Sequence, residues 1–287
     1  LAARQAKREA LLRTIKRKEI NERLDEYTGK NVANAYRTQL LGEARMEKGS
    51  RDSVSMSISG LERNFTGALL RGLSDEGEHL VDILRKGTLD EEVIRYAYDR
   101  KAKVSKEAEI IHNVIFKHAN AQRERKNRAG AFISEREDFV TTQHPQLIRK
   151  AGYEKWRSDI LQFLDQEESF KFFANGTEQE EYLENLYKRF ITGKHYLVDD
   201  AGEALVGRPS SFNLAKKISQ ARKLHFKDGK SAFEYASKYT RGNIWDKLFD
   251  AARFDARTVV LLEKFGPNPK AMHDTIVTDI ERKAFEK

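Results

Sequence analysis

One segment near the end of the chain, residues 244–265, carries the clearest helical pattern in the sequence and constrains the fold most. Its apolar residues recur every three or four positions, the spacing of one face of an α-helix. Asp255 is the single polar member of that face, while Asn243 and Gly266 supply start and stop signals. The face comprises Ile244, Leu248, Ala251, Ala252, Val259 and Leu262, and a second apolar side comprises Trp245, Phe249, Phe254 and Phe265. We therefore predict a buried helix at the centre of a helical domain.

The composition favours helices throughout the chain. Charged residues make up 34% and hydrophobic residues 39% of the 287 residues, as expected for amphipathic helices with one exposed face. The chain contains four prolines, and no stretch alternates apolar and polar residues for long enough to anchor a sheet. We expect an all-α fold: a multi-helix assembly of amphipathic helices with a C-terminal helical domain and little or no sheet.

Start and stop signals divide the chain into three segments. We predict basic N-terminal helices in residues 1–48, a middle helical segment in residues 49–126 and a C-terminal helical domain in residues 127–287. The Ser-rich and Gly-rich stretch at 49–60 is interpreted as a loop, with one short strand as the alternative. The predicted helices span residues 2–26, 32–47, 61–70, 75–86, 90–102, 105–125, 146–165 and 177–192, and another begins at Ser134. The predicted caps are Ser74 or Thr88, Ser105 and Thr177.

The first thirty residues carry much of the chain's positive charge. They contain nine Lys and Arg residues and five acidic residues, so they contribute +4 to the chain's formal net charge of +8. A basic helix of this kind can contact phosphate groups or an anionic lipid surface. Arg13, Lys16 and Arg17 are the candidate contacts. The alternative is a solvated helix face whose charges pair with one another.

The same helix has a narrow apolar stripe. Leu12 and Ile15 are its candidate assembly contacts, because a stripe this narrow is typical of a helix that packs along one line. The complete stripe is Leu11, Leu12, Ile15, Ile20 and Leu24. We expect it to pack on another copy of the chain or on another protein.

Few residue patterns indicate chemistry. The chain lacks cysteine, and it contains no glycine-rich phosphate loop and no HExxH or GxSxG motif. His112 and His118 are six positions apart, on different helix faces, and are interpreted as packing residues. An acid/base pair could be drawn from Glu135, Glu137 and Asp138, but acids that follow a capping serine also suit a helix start. We expect no catalytic residue, no cofactor, no metal and no small-molecule substrate in this segment. Residues 194–209 form the predicted loop best suited to contact a partner.

Over residues 127–275 the sequence resembles a family of very large tailed-bacteriophage internal virion, or ejection, proteins. The resemblance rests on five short runs: RAGAFIS at 128–134 followed by Glu137, GYEKW at 152–156, AKKISQAR at 215–222, LHFKD at 224–228 and FGPNP at 265–269. It implies a structural segment inside the virion or near the portal–tail axis, which enters the host cell envelope on infection. The implied partners are other copies, portal, tail or core proteins, and packaged DNA or host membrane.

Two other functions remain open from the sequence. One is a helical nucleic-acid-binding module, and the other is a peptidoglycan-degrading enzyme domain. Members of the resembled family often carry an enzymatic domain elsewhere on the same chain. Because the first residue is Leu1 rather than Met, we expect this segment to belong to a longer protein.

Overall fold

The computed structural model is all-α, which confirms the predicted fold class. It describes residues 2–25, 32–41, 53–131, 133, 145–171, 173, 175–192 and 225–285. Within these residues it contains thirteen helices and no sheet, and 84% of the structure is helical. An isolated antiparallel bridge joins Leu164 to Phe226 in the described chain. The helices are α1 (Ala2–Asp25), α2 (Val32–Leu41), α3 (Val54–Glu76), α4 (Glu78–Lys86), α5 (Asp90–Tyr98), α6 (Lys106–Arg128), α7 (Pro145–Ala151), α8 (Tyr153–Phe163), α9 (Gln166–Phe170), α10 (Gly176–Thr192), α11 (Gly229–Tyr239), α12 (Ile244–Phe265) and α13 (Pro269–Phe285).

The central helix α12 begins and ends as predicted. The Asn243 side chain accepts a hydrogen bond from the Asp246 amide over 3.1 Å, and the Asp246 carboxylate accepts one from the Asn243 amide over 3.2 Å. This reciprocal pair is a capping box. Gly266 ends the helix, where its amide donates to the Leu262 carbonyl. The helix packs on α3, α4, α6 and α13, so it has neighbours on several sides.

The apolar faces predicted for α12 are only partly buried. Most of the first face is buried, but Ala251 is exposed. On the second side, Phe265 is buried, whereas Phe254 has an exposed fraction of 54%. Trp245 is partly buried, and its ring centroid lies 4.6 Å from that of Phe249, with the two ring planes tilted by 34°. This second side of α12 is therefore less completely buried than the first, and Trp245 packs at the margin of a core.

Three main groups of buried residues hold the helices together. The first joins α3, α4, α5 and α6 to α11 and α12. The second is rich in aromatic residues and joins α7, α8, α9 and α10 to α11, with Trp156 fully buried. The third joins α1 and α2 to the end of α12 and to α13. The first and third groups each contain residues from both sides of a predicted segment boundary, at residue 48 or residue 126. The division into three segments at those positions stays a prediction.

The stretch interpreted as a loop at 49–60 is helical from Val54 onwards, and Ser53 is the residue before the helix. Ser53 accepts a hydrogen bond from the Met56 amide over 3.2 Å and caps α3, which continues without a break to Glu76. The prediction was wrong because Ser and Gly were read as breakers. In α3 the residues Ser55, Ser59 and Gly60 lie on the exposed side, while the opposite side packs on α12. Burial of that side outweighs their weak helix propensity.

Other helix boundaries also differ from the prediction. Gly152, with φ of 79°, divides the predicted helix 146–165 into α7 and α8, because this backbone conformation is incompatible with a continuous helix. Asn175 rather than Thr177 caps α10, since its side chain accepts from the Glu178 amide over 3.0 Å. Neither Ser74, which lies inside α3, nor Thr88 caps a helix. The cap at Ser105 is confirmed. The predicted helix starting at Ser134 lies outside the described residues.

Candidate functional site: the N-terminal helix and the cleft beside it

The second half of α1 is held against the rest of the chain by an apolar core. Ile20 and Leu24 have exposed fractions of only 7% and 2%. The other buried members of this core are Ala35, Tyr36, Phe265, Met272 and Ile276, from α2, α12 and α13. These two residues of the predicted apolar stripe are therefore covered by the chain's own helices.

Arg17 adds a polar connection between α1 and α13. Its guanidinium donates two hydrogen bonds to the Asp279 carboxylate, from Nε over 2.9 Å and from Nη2 over 2.7 Å. Asn21 donates a longer bond of 3.5 Å to the same carboxylate. Hydrogen bonding from Arg17 is the largest cause lowering the pKa of Asp279. Arg17, a predicted phosphate contact, thus has a carboxylate partner within the chain.

The first half of α1 is the exposed part of the apolar stripe. Leu11 and Ile15 have exposed fractions of 60% and 41%, although both are large aliphatic residues. Leu12 is partly buried, and Arg13 is exposed. Of the two candidate assembly contacts, Ile15 is therefore accessible and Leu12 is not fully so. Leu11 is the stronger candidate to share a contact with Ile15, because the four-residue spacing places both on one face.

A cleft of about 280 Å³ lies between α1, α3 and α12. Lys16 is the only one of the three predicted basic contacts that lines it. The lining residues are Lys16, Glu19, Ile20, Arg23, Ser57, Val260, Glu263 and Lys264. Sequence reasoning missed Arg23, although its position seven residues after Lys16 puts both on one face of α1. No sequence pattern places Lys264 or Ser57 beside these residues, because they belong to α12 and α3.

The acids of this cleft are already paired with basic residues. The Lys16 Nζ lies 2.8 Å from the Glu19 carboxylate. The Arg125 guanidinium lies 2.7 Å from the Glu263 carboxylate. Arg23 makes no ion pair with another residue of the described chain. Both acids that line the cleft therefore already face a cation.

The two histidines singled out from the sequence occupy packed positions on α6. His112 is buried, and its Nδ1 lies 2.7 Å from the Arg100 guanidinium. Burial, with a smaller contribution from Arg100, lowers the pKa of His112 to about 4. His112 is thus neutral at neutral pH and accepts the hydrogen bond from Arg100. His118 Nε2 lies 2.7 Å from Gln122 Nε2, and burial lowers its pKa as well.

Asp255 is paired inside the structure. The Lys126 Nζ of α6 lies 2.7 and 2.8 Å from the two carboxylate oxygens of Asp255 on α12. Burial raises the pKa of Asp255, and Lys126 partly opposes that rise. A buried carboxylate with one dedicated cation joins two helices and needs no ligand to explain its position.

Several sequence predictions lie outside the described residues. These are the acid/base candidates Glu135, Glu137 and Asp138, and the predicted contact loop at 194–209. Among the residues that the structure does describe, no group of three or more His, Cys, Asp or Glu side chains is placed to hold a metal ion. None of the described helices combines the length and apolarity needed to cross a membrane.

Comparison with known proteins leaves the candidate site to be judged on its geometry. A scan against models of protein families, curated proteins and solved structures finds no match to this chain.

Proposed function

We propose that this chain is a structural segment of a tailed-bacteriophage internal virion, or ejection, protein that assembles near the portal–tail axis and supports genome delivery. Its assembly contact is the first half of α1. The observation that carries the proposal is the exposure of Leu11 and Ile15 on a helix whose second half is anchored. Large aliphatic side chains on a helix held in place favour a partner that covers them.

The location in a virion rests on the sequence resemblance. Two of its runs fall at helix ends in the described chain: GYEKW at 152–156 covers the start of α8, and FGPNP at 265–269 joins α12 to α13. An all-α chain of amphipathic helices suits a part that packs against copies of itself. The nucleic-acid-binding alternative relies on Arg13, Lys16 and Arg17, and ion pairs engage two of these three within the chain.

The assembly contact is tested by the double substitution L11D/I15D. We expect the wild-type chain to form an oligomer that grows with concentration, and the variant to stay monomeric while remaining helical. Two aspartates on the exposed stripe would place charges in the buried part of the interface. Size-exclusion chromatography with light scattering measures the mass, and circular dichroism checks the helices. Leu12 is avoided because it is partly buried, so its substitution would also disturb folding.

The matched control is A10D/T14D, which adds the same two charges at the same spacing on exposed positions of α1. This control should assemble like the wild type. Equal loss of assembly in both variants would mean that added negative charge, and not the stripe, controls association. A wild-type chain that stays monomeric at every concentration would contradict self-assembly. Electron cryo-microscopy of the phage particle tests the location, and a chain found outside the portal–tail region would contradict it.

A further inference from the structure

We infer that Arg100 and His112 form an acid-sensitive latch, which holds α5 and the segment 99–105 on α6 and opens when His112 binds a proton. The latch is the hydrogen bond between the Arg100 guanidinium and Nδ1 of His112, which lie 2.7 Å apart. Neither residue belongs to α1, which carries the proposed assembly contact. The inference therefore stands or fails independently of the proposed function.

This hydrogen bond requires a neutral histidine. The guanidinium of an arginine stays protonated and can only donate, so Nδ1 of His112 accepts with its lone pair. The ring proton of the neutral form is then on Nε2. A second proton would form an N–H bond at Nδ1 and place two cations at the distance of the present hydrogen bond. Protonation thus removes the bond and replaces it with a repulsion.

Two aromatic rings fix the guanidinium over the histidine. The Cζ of Arg100 lies 5.1 Å from the ring centroid of Tyr96 on α5 and 5.3 Å from that of Phe116 on α6. The same two rings contact the imidazole, Tyr96 edge-on at 5.3 Å and Phe116 stacked at 6.0 Å. Contacts between a cation and a ring face favour one position of a long side chain. The latch thus connects α5 to α6 through a packed group of four side chains.

The surroundings of His112 do not offset a positive charge on its ring. Its exposed fraction is 3%, whereas Arg100, which covers it, is exposed. Tyr96 and Glu109 are titratable groups beside it, and the Tyr96 hydroxyl donates to the Glu109 carboxylate over 3.1 Å. Within the described chain no carboxylate bonds to the imidazole itself, whose other polar neighbour is the Asn113 Oδ1 at 3.4 Å. The helices α3 and α4, which also pack on α6, add leucines to the adjoining core.

The sign of the pH dependence follows from this arrangement. Burial, and to a smaller extent the charge of Arg100, lowers the pKa of His112 to about 4. A histidine whose pKa is lowered by folding stabilises the closed latch above its ordinary pKa of about 6.5, and this stabilisation is lost as the pH falls towards about 4. Between about pH 7 and pH 5, the ratio of open to closed latch should therefore rise about twenty-fold.

The latch lies on a helix that connects two of the groups of buried residues. α5 packs on both α6 and α11. Gly229 of α11 approaches α5 so closely that a Cβ there would overlap the Arg95 backbone. The same helix α11 contributes Tyr235 and Tyr239 to the aromatic second group. Opening of the latch thus loosens α5 close to the junction between the first and second groups.

The first test is an NMR titration of the histidine rings of the whole chain, from about pH 8 down to the lowest pH at which circular dichroism shows intact helices. H112N assigns the His112 signal, because that signal disappears in the variant. We expect His112 of the wild type to titrate well below the ordinary pKa of histidine. R100Q removes the charge but keeps an N–H donor, so the pKa of His112 should rise and still stay below its ordinary value, since burial remains. K101Q is the matched control, because Lys101 is an exposed cation of the same segment and should leave the pKa of His112 unchanged.

The second test is hydrogen–deuterium exchange at about pH 7 and pH 5, with protection factors corrected for the intrinsic exchange rate at each pH. In the wild type, protection over residues 90–105 should fall about twenty-fold more than in H112N. Asparagine does not titrate in this range, and its amide oxygen can accept from Arg100 at both pH values. H118N is the matched control, because it replaces another histidine of α6 outside the latch and should behave like the wild type over 90–105.

Three outcomes would overturn the inference. One is a His112 pKa of about 6 or higher in the folded wild type. Another is a loss of protection over 90–105 that is as large in H112N as in the wild type, which would indicate general acid unfolding. The third is an equal shift of the His112 pKa in R100Q and K101Q, which would indicate the overall positive charge of the segment rather than the contact of Arg100. The titration of the wild type decides the question even if H112N is less stable than expected.

Discussion

The ion pair between Lys126 and Asp255 gives a prediction whose size follows from the structure. The two side chains have exposed fractions of 15% and 9%, and the Nζ lies within 2.8 Å of both carboxylate oxygens. K126M keeps most of the lysine stem but leaves the carboxylate without its cation. Breaking a buried pair in this way typically destabilises a protein by about 3–5 kcal/mol.

Protonation of Asp255 sets an upper limit to that cost. The folded variant can bind a proton instead of burying a charge, so the electrostatic penalty at about pH 7 cannot exceed about 4 kcal/mol for an unfolded pKa of about 3.9. Burial already raises the pKa of Asp255 in the wild type, so part of this electrostatic penalty is present before the substitution. The largest possible difference in unfolding free energy between K126M and the wild type is therefore smaller than this limit. We therefore expect K126M to lose about 2–3 kcal/mol at about pH 7.

The pH dependence of this loss identifies its cause. In K126M the folded-state pKa of Asp255 rises further above its unfolded value. A group shifted in this direction contributes its full stability below the unfolded pKa and loses it as the pH rises. At about pH 4.5 the limit falls to about 1 kcal/mol, so the deficit of the variant should shrink as the pH is lowered.

Urea unfolding followed by circular dichroism measures both quantities, with the wild type as the reference at each pH. The control K126M/D255N has no titratable group at this position, so its deficit should not depend on pH over the same range. The reasoning is refuted if K126M loses less than about 1 kcal/mol at about pH 7. It is also refuted if K126M loses the same free energy at both pH values.

Two further pairs of substitutions test the packing by the same unfolding measurement. G229A should lower the free energy of unfolding by about 1–3 kcal/mol, because a Cβ there would overlap the Arg95 backbone where α11 meets α5. G60A should instead raise it by about 0.5–1 kcal/mol, since nothing lies within 4 Å of a Cβ at that exposed helical position. Equal effects would contradict the close approach of the two helices. W156A should lose about 3–5 kcal/mol, and W245A about 1–2 kcal/mol, because Trp156 is fully buried and Trp245 is half-buried. A larger loss for W245A would contradict this order.

The features that the sequence predicted correctly depend on neighbouring residues. The start of α12 is an example, because the capping box joins Asn243 to Asp246, only three residues away. The cap at Ser105 is another, since its side chain accepts from the amide of Ala108. Such signals are contained in a few consecutive residues, so they survive without knowledge of the tertiary structure.

The features that the sequence did not predict depend on distant residues. The Ser and Gly residues at the start of α3 predicted a loop, because the local sequence does not show that the opposite face of this segment is buried on α12. Arg17 reads as a free cation, because its partner Asp279 is 262 residues away. The cleft was not predicted, because Ser57 and Lys264 meet Lys16 and Arg23 only when α3 and α12 pack beside α1.

The anchored half of α1 also bears on the exposed half. The first turn of any helix is costly to form, and most of the stability of a helix in a protein comes from the packing of its apolar face. In this chain the core around Ile20 and Leu24 and the contact of Arg17 with Asp279 hold one end of α1 in helical form. The helix can then extend towards Leu11 by adding one hydrogen bond per residue, without a new nucleation step. A partner that covers Leu11 and Ile15 therefore pays little ordering entropy, since the stripe is already helical. By this argument the contact of Arg17 with Asp279 supports assembly without touching the partner.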